Sequence, residues 1–324
     1  MVTEVDDTLS MGLRDVEALA TEPNDLLIAV DFSGVNFKDT MVAASKSRVR
    51  RVASLVGGVD AAGVVVDSSS DALPKGTRVA VHGGTIGVAR DGGFAQFIYS
   101  PARYVSALPD SISTRVAMII GTAGFTAMES LLALEDHGLE KGSEVLVTGA
   151  TGGVGSQSVA FLAATGYRPV ASTGSTTESQ WLKERGAVRV IGRDDVADNP
   201  GRVLASEAWA GAIDCVGGET LAQILRSLRY GAGVAASGLV ASAELVTTLY
   251  PFITRSVALL GVDSVEATSA TRARVWSKLG AIAQNIDFAE LMDREVQLED
   301  LTSALEDVRD GKTRGRILVN PTPG

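Results

Sequence analysis

The sequence predicts an α/β protein in which a doubly wound parallel sheet domain is joined to a β-rich domain. Three observations predict it. Short strand-like runs separated by glycine turns fill Leu26 to about Pro109; helical and strand-like segments alternate after that; and one apolar run empties into a glycine-rich loop that leads into a helix. With 324 residues, 45% of them hydrophobic, the chain is long enough for two structural domains.

In the first region Leu27 to Phe32, Val59 to Asp67, Arg78 to His82 and Phe94 to Ser100 read as strands, since apolar and β-branched residues run between turn formers. The second region opens with a helix at Ala117 to Glu135. It continues with a strand at Glu144 to Thr148, a helix at Ser156 to Thr165, a strand at Pro169 to Ser172 and a helix at Glu178 to Arg185. Strands follow at Val188 to Ile191, Ala212 to Cys215 and Gly233 to Ala236. The tail adds a strand at Val257 to Val262, helices near Thr271 to Asn285 and Leu298 to Arg309, and a last strand at Arg316 to Val319.

Composition narrows the function. Twenty-nine basic residues against 39 acidic ones leave a net charge of −10, so neither nucleic acid nor an anionic membrane surface is expected as a partner. Cys215 is the single cysteine and precludes an internal disulfide, and the acidic stretch Met1 to Asp7 is unlike a secretory signal; a cytoplasmic protein is expected. Val145 to Tyr167 carries no charge over 23 positions, which is long enough to span a bilayer. Five of its residues are glycine, however, so it reads as a buried strand, a turn and a helix.

That run, Val145-Leu-Val-Thr-Gly149-Ala-Thr-Gly152-Gly153-Val154-Gly155-Ser156, fits a dinucleotide fingerprint in a strand-turn-helix context, with Ala150 at the place of the usual first glycine. Gly152 lets backbone approach a pyrophosphate and Gly155 lets helix pack on strand, so Ala150, Thr151, Gly152, Gly153, Val154 and Gly155 are candidate cofactor-binding residues. The helix N-terminus supplies free N–H groups for the phosphates. The next strand ends in Ser172-Thr173-Gly174-Ser175, without the carboxylate that grips the ribose 2′-hydroxyl of NAD. Small hydroxyl residues and Arg193 suit a 2′-phosphate, and the expected cofactor is NADP(H); the alternative for Arg193 is a surface pair with Asp194 or Asp195. Cys215, Val216, Gly238 and Leu239 stand at strand C-terminal ends, where such a crevice opens. Thr122 and Thr126 are candidates for cofactor or substrate contact, with helix packing as the alternative.

A catalytic zinc site needs cysteine and histidine ligands, and the β-rich region offers no cysteine and only His82. His137 sits at a helix end, where a capping role is expected. No metal is therefore expected, and no serine–histidine–acid nucleophile is recognisable.

The runs Gly121-Thr-Ala-Gly-Phe-Thr-Ala-Met-Glu-Ser130, Val145 to Ser156, Ala212-Ile-Asp-Cys-Val-Gly-Gly218, Pro251-Phe-Ile-Thr-Arg255 and Gly261-Val-Asp-Ser-Val265 together resemble the zinc-independent medium-chain dehydrogenase/reductase superfamily, and within it the branch of acrylyl-CoA reductases and YhdH/YhfP-type quinone oxidoreductases. The likeness extends from about Leu26 to Val319. It implies a GroES-like catalytic domain split between residues 1–115 and 256–324, a Rossmann domain over 116–255, and hydride transfer from NADPH to an electron-poor alkene in a cleft between them. Homodimers are common in such families.

The resemblance also assigns residues. Asn36, Lys38 and Asp39 match its catalytic motif, with Phe37 where a tyrosine is usual; Ser175 stands where relatives often carry an arginine; and Arg316, with Lys312 and Arg314, matches the closing motif in which a cation lies near the cofactor. Reduction of an enoyl thioester needs a placed hydride donor, stabilisation of the developing oxyanion, and a proton. Asn36 and Lys38 are the candidates for the second need, and Lys38 or water for the third; the alternative is an ordinary Lys38–Asp39 ion pair. Lys46, Arg48, Arg50 and Arg51 can attract the phosphates of a CoA thioester, or form a solvated basic loop. The functional expectation is NADPH-dependent reduction of a short α,β-unsaturated acyl-CoA. A quinone or enone reductase without CoA specificity is the alternative, and an NADPH-binding sensor with little catalysis is a third reading.

Overall fold

The computed structural model describes residues 1–5, 8–196 and 202–322. The chain divides into two compact units, Met1–Ala123 with Ser264–Gly324, and Gly124–Asp263.

The first unit begins with strands β1 (Val2–Val5), β2 (Thr8–Met11) and β3 (Leu26–Val35), a short helix α1 (Phe37–Val42), and strands β4 (Ser54–Leu55), β5 (Asp60–Asp67), β6 (Arg78–His82), β7 (Phe97–Ser100) and β8 (Val105–Ala107). Strand β3 is the hub. It pairs antiparallel with β5 and β7, and its alternating residues Leu26, Ile28 and Val30 bury against Val65, Val79, Val81 and Ile98.

Helix α2 (Thr114–Asp136) is long and apolar enough to cross a bilayer, yet 78% of its most apolar window is buried inside the protein, as in the core helix of a soluble fold. It is two helices in series. At Gly121 the backbone turns to φ 51, ψ −163, a left-handed excursion that only glycine makes cheaply. The break falls close to the boundary between the units.

The second unit contains β9 (Glu144–Val147), α3 (Gly153–Ala164), β10 (Arg168–Ser172), α4 (Ser179–Glu184), β11 (Arg189–Ile191), β12 (Gly211–Asp214), α5 (Gly218–Ser227), β13 (Gly233–Ala236), α6 (Tyr250–Arg255) and β14 (Ala258–Gly261). Its strands form one parallel sheet in the order β11-β10-β9-β12-β13-β14. Chain direction across the sheet reverses between β9 and β12, so the crevice of a doubly wound sheet opens beyond the C-terminal ends of those two strands. The charge-free run is thus β9, a loop and α3. Leu221, Ile224 and Leu225 of α5, at i, i+3 and i+4, pack on Leu146, Val170, Ala212 and Val234 of the strands.

The chain then returns to the first unit with α7 (Ser269–Ile282), β15 (Met292–Gln297), α8 (Leu301–Arg309) and β16 (Arg316–Asn320). These complete a seven-stranded sheet, β15-β16-β3-β5-β6-β8 with β7 on β3. The fold class expected from the sequence is observed in both units. Differences lie at particular elements: β15 is polar except for Met292 and Val296 and has no apolar alternation to announce it, and α3 starts at Gly153 because the fingerprint glycines themselves form its first turn.

Candidate functional site

In the second unit the loop after β9 is built by close backbone approach. A Cβ on Gly155 would collide with the Gly149 carbonyl, so no other residue lets α3 pack this tightly on the strand. Gly152 caps α3 and is exposed, and the first N–H groups of the helix, from Gly153 onward, have no partner within it. Thr151 and Val154 flank this opening and are half-buried. Ala150 differs: it is buried, and its N–H donates to the Ser172 carbonyl at 3.2 Å, so it ties β9 to β10 rather than facing a ligand.

The Ser172–Ser175 corner sorts its residues in the same way. Ser172 and Thr173 are buried; the Ser172 hydroxyl donates to the Gly192 carbonyl at 3.3 Å and the Thr173 hydroxyl accepts the Ser175 N–H at 3.1 Å. Both shape the turn. Gly174 and Ser175 are the residues it presents, and the Arg193 guanidinium lies directly over Gly174, where an added Cβ would meet its Nε at 2.5 Å. Arg193 is exposed, and among the described residues it forms no ion pair, with Asp194 and Asp195 or otherwise; Asp195 instead accepts the Gly192 N–H at 3.0 Å. A guanidinium and a hydroxyl at the end of β10, where the strand itself brings no carboxylate, fit a 2′-phosphate.

At the end of β12 the turn is set by Asp214, a residue that motif reading passed over. Its buried carboxylate accepts the Thr148 hydroxyl at 2.6 Å, the Val216 N–H at 3.3 Å and the Gly217 N–H at 2.8 Å. This holds Cys215 and Val216 at the strand end. Burial, reinforced by Asp214, pushes the Cys215 thiol up to about 12, so it stays a neutral thiol. Gly238 crosses so close that a Cβ would strike the Cys215 carbonyl, and Leu239 beyond it is exposed. Thr126, in α2, is buried within the second unit.

The first unit gathers Asn36, Thr122 and Arg316 around a residue the sequence analysis did not single out, Asp60. Asp60 is 0% exposed, and its carboxylate accepts the Asn36 amide at 2.8 Å, the Thr122 N–H at 2.9 Å, the Thr122 hydroxyl, and the Arg316 guanidinium at 3.2 Å. Gly121 makes this possible: its positive φ frees the Thr122 N–H from the helix, and a Cβ there would sit 2.5 Å from both Asp60 and Arg316. A lone aspartate in the otherwise apolar run Val59 to Val66 was the available signal, since a buried charge must find partners.

This network changes four expectations. Arg316, expected to offer a cation near the cofactor, is 3% exposed and spends its guanidinium on Asp60, the Val35 backbone carbonyl and the Asn36 side-chain Oδ1, both at 2.9 Å. Asn36, expected to donate to an oxyanion, has given its amide N–H groups to Asp60 and to the Gly34 carbonyl at 3.3 Å. Asp39, expected at the reaction centre, is a capping residue: it accepts the Asn36 N–H at 2.8 Å and the Val59 N–H at 3.0 Å. Burial raises the Asp39 carboxyl to about 7, with nearby Asp60 adding to it. Thr122, a cofactor candidate, is likewise committed to Asp60.

Lys38 stands apart. It is half-buried on α1, and among the described residues it has no hydrogen-bond or ion-pair partner; the Lys38–Asp39 pair is not formed because Asp39 is engaged with backbone. Beside it the Phe37 ring is 46% exposed. In the basic loop, Arg50 turns inward and donates to the Val42 carbonyl at 2.6 Å, leaving Lys46, Arg48 and Arg51 exposed. Among the described residues no group of three or more histidine, cysteine, aspartate or glutamate side chains is placed to hold a metal ion.

Comparison with known proteins places these features. Residues 22–110 match the alcohol dehydrogenase GroES-like domain and residues 153–280 the zinc-binding dehydrogenase family. YhfP of Bacillus subtilis (strain 168), which carries a quinone oxidoreductase name, is 42% identical over 315 residues, covering 97% of this chain and 95% of that protein. The crystal structure of Bacillus subtilis yhfP with NAD bound has a TM-score of 0.95 at 39% identity, covering 98% of this chain and 97% of that one. Acrylyl-CoA reductase AcuI of Ruegeria pomeroyi is 41% identical over 297 residues, covering 91% of this chain and 90% of that protein. The yhdH oxidoreductase from Salmonella enterica, solved in complex with NADP, has a TM-score of 0.93 at 36% identity and covers 98% of each chain. The chain belongs to the medium-chain dehydrogenase/reductase superfamily, in the branch that holds YhfP, YhdH and the acrylyl-CoA reductases.

Proposed function

We propose that this protein is an NADPH-dependent reductase of the C=C bond of a short α,β-unsaturated acyl-CoA. The observation that carries the cofactor is the open corner in which Arg193 overlies Gly174 beside Ser175, with no carboxylate at the end of β10. The likeness to an acrylyl-CoA reductase over nine-tenths of the chain supports the substrate class.

NADPH, when bound, supplies a hydride for the β-carbon of the unsaturated thioester. Gly152 and the first turn of α3 would hold its pyrophosphate through backbone N–H groups, and Arg193 with Ser175 would hold the 2′-phosphate. Lys38 is the group with charge and protons to give: its ammonium stabilises the developing thioester enolate and delivers the proton to the α-carbon. One hydride and one proton then account for the saturated product. Asn36, Asp39 and Asp60 hold the backbone that presents α1.

A quinone or enone substrate is the second reading, favoured by the similarity to YhfP and by the inward turn of Arg50, which thins the basic loop offered to CoA phosphates. A homodimer goes with either reading. Strand β14 is an open edge of the parallel sheet, and Leu249, Ile253 and Leu259 in and before it are exposed, a surface that a second copy covers. The single, protonated Cys215 is at home in a reducing cytoplasm.

The deciding experiment follows NADPH absorbance with acrylyl-CoA and with a simple quinone, each against NADH. Oxidation with the thioester, and a loss of about 100-fold or more in kcat/KM on Lys38→Met, is the expected result. Turnover of the quinone alone moves the assignment to the second reading, and NADPH binding without turnover of either substrate overturns both.

A further inference from the structure

The basic loop that follows α1, residues 43–53, has no regular structure but is tied down almost residue by residue. The Ser47 hydroxyl donates to the Met41 carbonyl at 2.6 Å and accepts the N–H groups of Val49 at 3.1 Å and Arg50 at 3.0 Å. Val49 packs on Val42, Leu55, Val59 and Val88. The inward guanidinium of Arg50 binds the carbonyls of Val42 at 2.6 Å and Ala44 at 3.4 Å, and the Arg51 N–H donates to the Val88 carbonyl at 2.9 Å. Arg50 thus leaves the surface and braces what stays there. Lys46, Arg48 and Arg51 point outward from this frame, and among the described residues Arg48 and Arg51 form no ion pair. In a chain with 39 acidic residues and a net charge of −10, two guanidiniums left uncompensated on a braced loop are preorganised positive charge.

Helix α1 connects this charge to Lys38. Phe37 and Met41 stand one turn apart on the same face, both exposed, and Lys38 borders that face. From Lys38 to Ala43, where the loop begins, the chain rises about 7.5 Å along the helix, and the outward guanidiniums lie beyond. The order is therefore an ammonium, an apolar ledge and a pair of guanidiniums, all within the first unit. A ligand that matches it has a carbonyl at one end, an uncharged arm in the middle and phosphates at the other end. That is the order of thioester, pantetheine arm and phosphates in an acyl-CoA.

We propose that Arg48 and Arg51 hold the phosphate end of the acyl-CoA substrate, with its arm along Phe37 and Met41 and its thioester at Lys38. The assignment rests on the acyl-CoA reading above and names the residues that select the carrier. A quinone has neither arm nor phosphates, so the strip gives it no hold.

The test compares acrylyl-CoA with acrylyl-pantetheine, which keeps the arm and lacks the phosphates of the carrier, and adds calorimetric titration with CoA itself. The parent protein should prefer the CoA thioester about tenfold or more in kcat/KM, through KM, and its CoA affinity should fall as salt is raised. Arg48→Glu with Arg51→Glu should abolish that preference, weaken CoA binding about tenfold or more, and change kcat/KM for the pantetheine thioester by less than about twofold. Arg48→Gln with Arg51→Gln removes the charge without reversing it and should show the same selective loss, so it decides the matter should the first pair fail to fold. Equal use of the two thioesters by the parent, or a CoA preference that survives in the variants, overturns the loop site and leaves the reductase reading standing. Reduction of neither thioester overturns the reductase reading, and the titration then judges the loop: CoA binding that the substitutions weaken supports it, and CoA binding that is absent or unchanged overturns it.

Discussion

Two clusters of motif residues treat their polar groups in opposite ways. At the corner after β10, Ser172 and Thr173 turn inward to fix the backbone, and what remains outside is a glycine, a hydroxyl and the guanidinium of Arg193, which forms no ion pair among the described residues. Around Asp60, four donors from Asn36, Thr122 and Arg316 converge on one carboxylate, and every one of those candidate residues is consumed by the protein itself. The first cluster has charge left for a ligand; the second has converted charge into architecture. A residue's place in a motif therefore does not give its role: the partner it finds across the fold does.

The sharpest way to break this contrast is to unpair the Asp60–Arg316 bridge. Both groups are out of water, so removing either leaves the other as an uncompensated buried charge, a change worth about 3–5 kcal/mol. Asp60→Asn and Arg316→Met should each lower stability by about that much in denaturant unfolding. The double variant should fall short of the summed losses by more than about 1 kcal/mol, because it leaves no stranded charge. Additive losses would mean that the pair is not coupled.

At the open corner the expected effect is smaller and falls on the ligand. Arg193 is exposed and supports no contact that the fold needs, so Arg193→Ala should leave the melting temperature unchanged. It should weaken NADPH binding roughly 10- to 100-fold, the size of one lost charge-assisted contact, and leave NADH binding within about twofold. An equal loss for both nucleotides in a fluorescence titration would assign Arg193 to the shared part of the cofactor instead of the 2′-phosphate.

The difference between the clusters also explains what was legible. The parallel sheet could be read because its strands are short apolar runs bounded by glycine and the first of them alternate with helices, so the signal is local. The glycine loop was readable for the same reason. The Asp60 network was not, because its members lie 62 and 256 residues apart in the chain, from Asp60 to Thr122 and to Arg316, and no local pattern ties them. Strand β15, Met-Asp-Arg-Glu-Val-Gln, forms because β16 offers it a parallel edge, and not because its residues favour a strand. The basic loop failed differently: four adjacent cations look alike in sequence, and only the fold shows that Arg50 turns back onto the carbonyl of Val42 at the end of α1.

The smallest predicted effect isolates Asp39, which belongs to the motif but serves the backbone. Its carboxyl titrates near 7 in the folded protein because burial penalises the charge, whereas in the unfolded chain it ionises in the ordinary carboxylate range. The folded state therefore holds this proton more tightly, and stability declines as pH rises through the interval between the two values. Between about pH 6 and pH 8 only the last part of that interval is crossed, worth about 1 kcal/mol or roughly 2–4 °C in melting temperature for a chain of this size. Asp39→Asn cannot ionise, and it retains one side-chain oxygen for the Asn36 and Val59 N–H groups in place of two. The parent should thus be more stable than the variant at both pH values, by a margin that narrows by those few degrees at the higher one. A margin independent of pH would place the ionisation of Asp39 outside this window and leave its carboxylate charged in the folded protein, paired through the two backbone N–H groups that it caps.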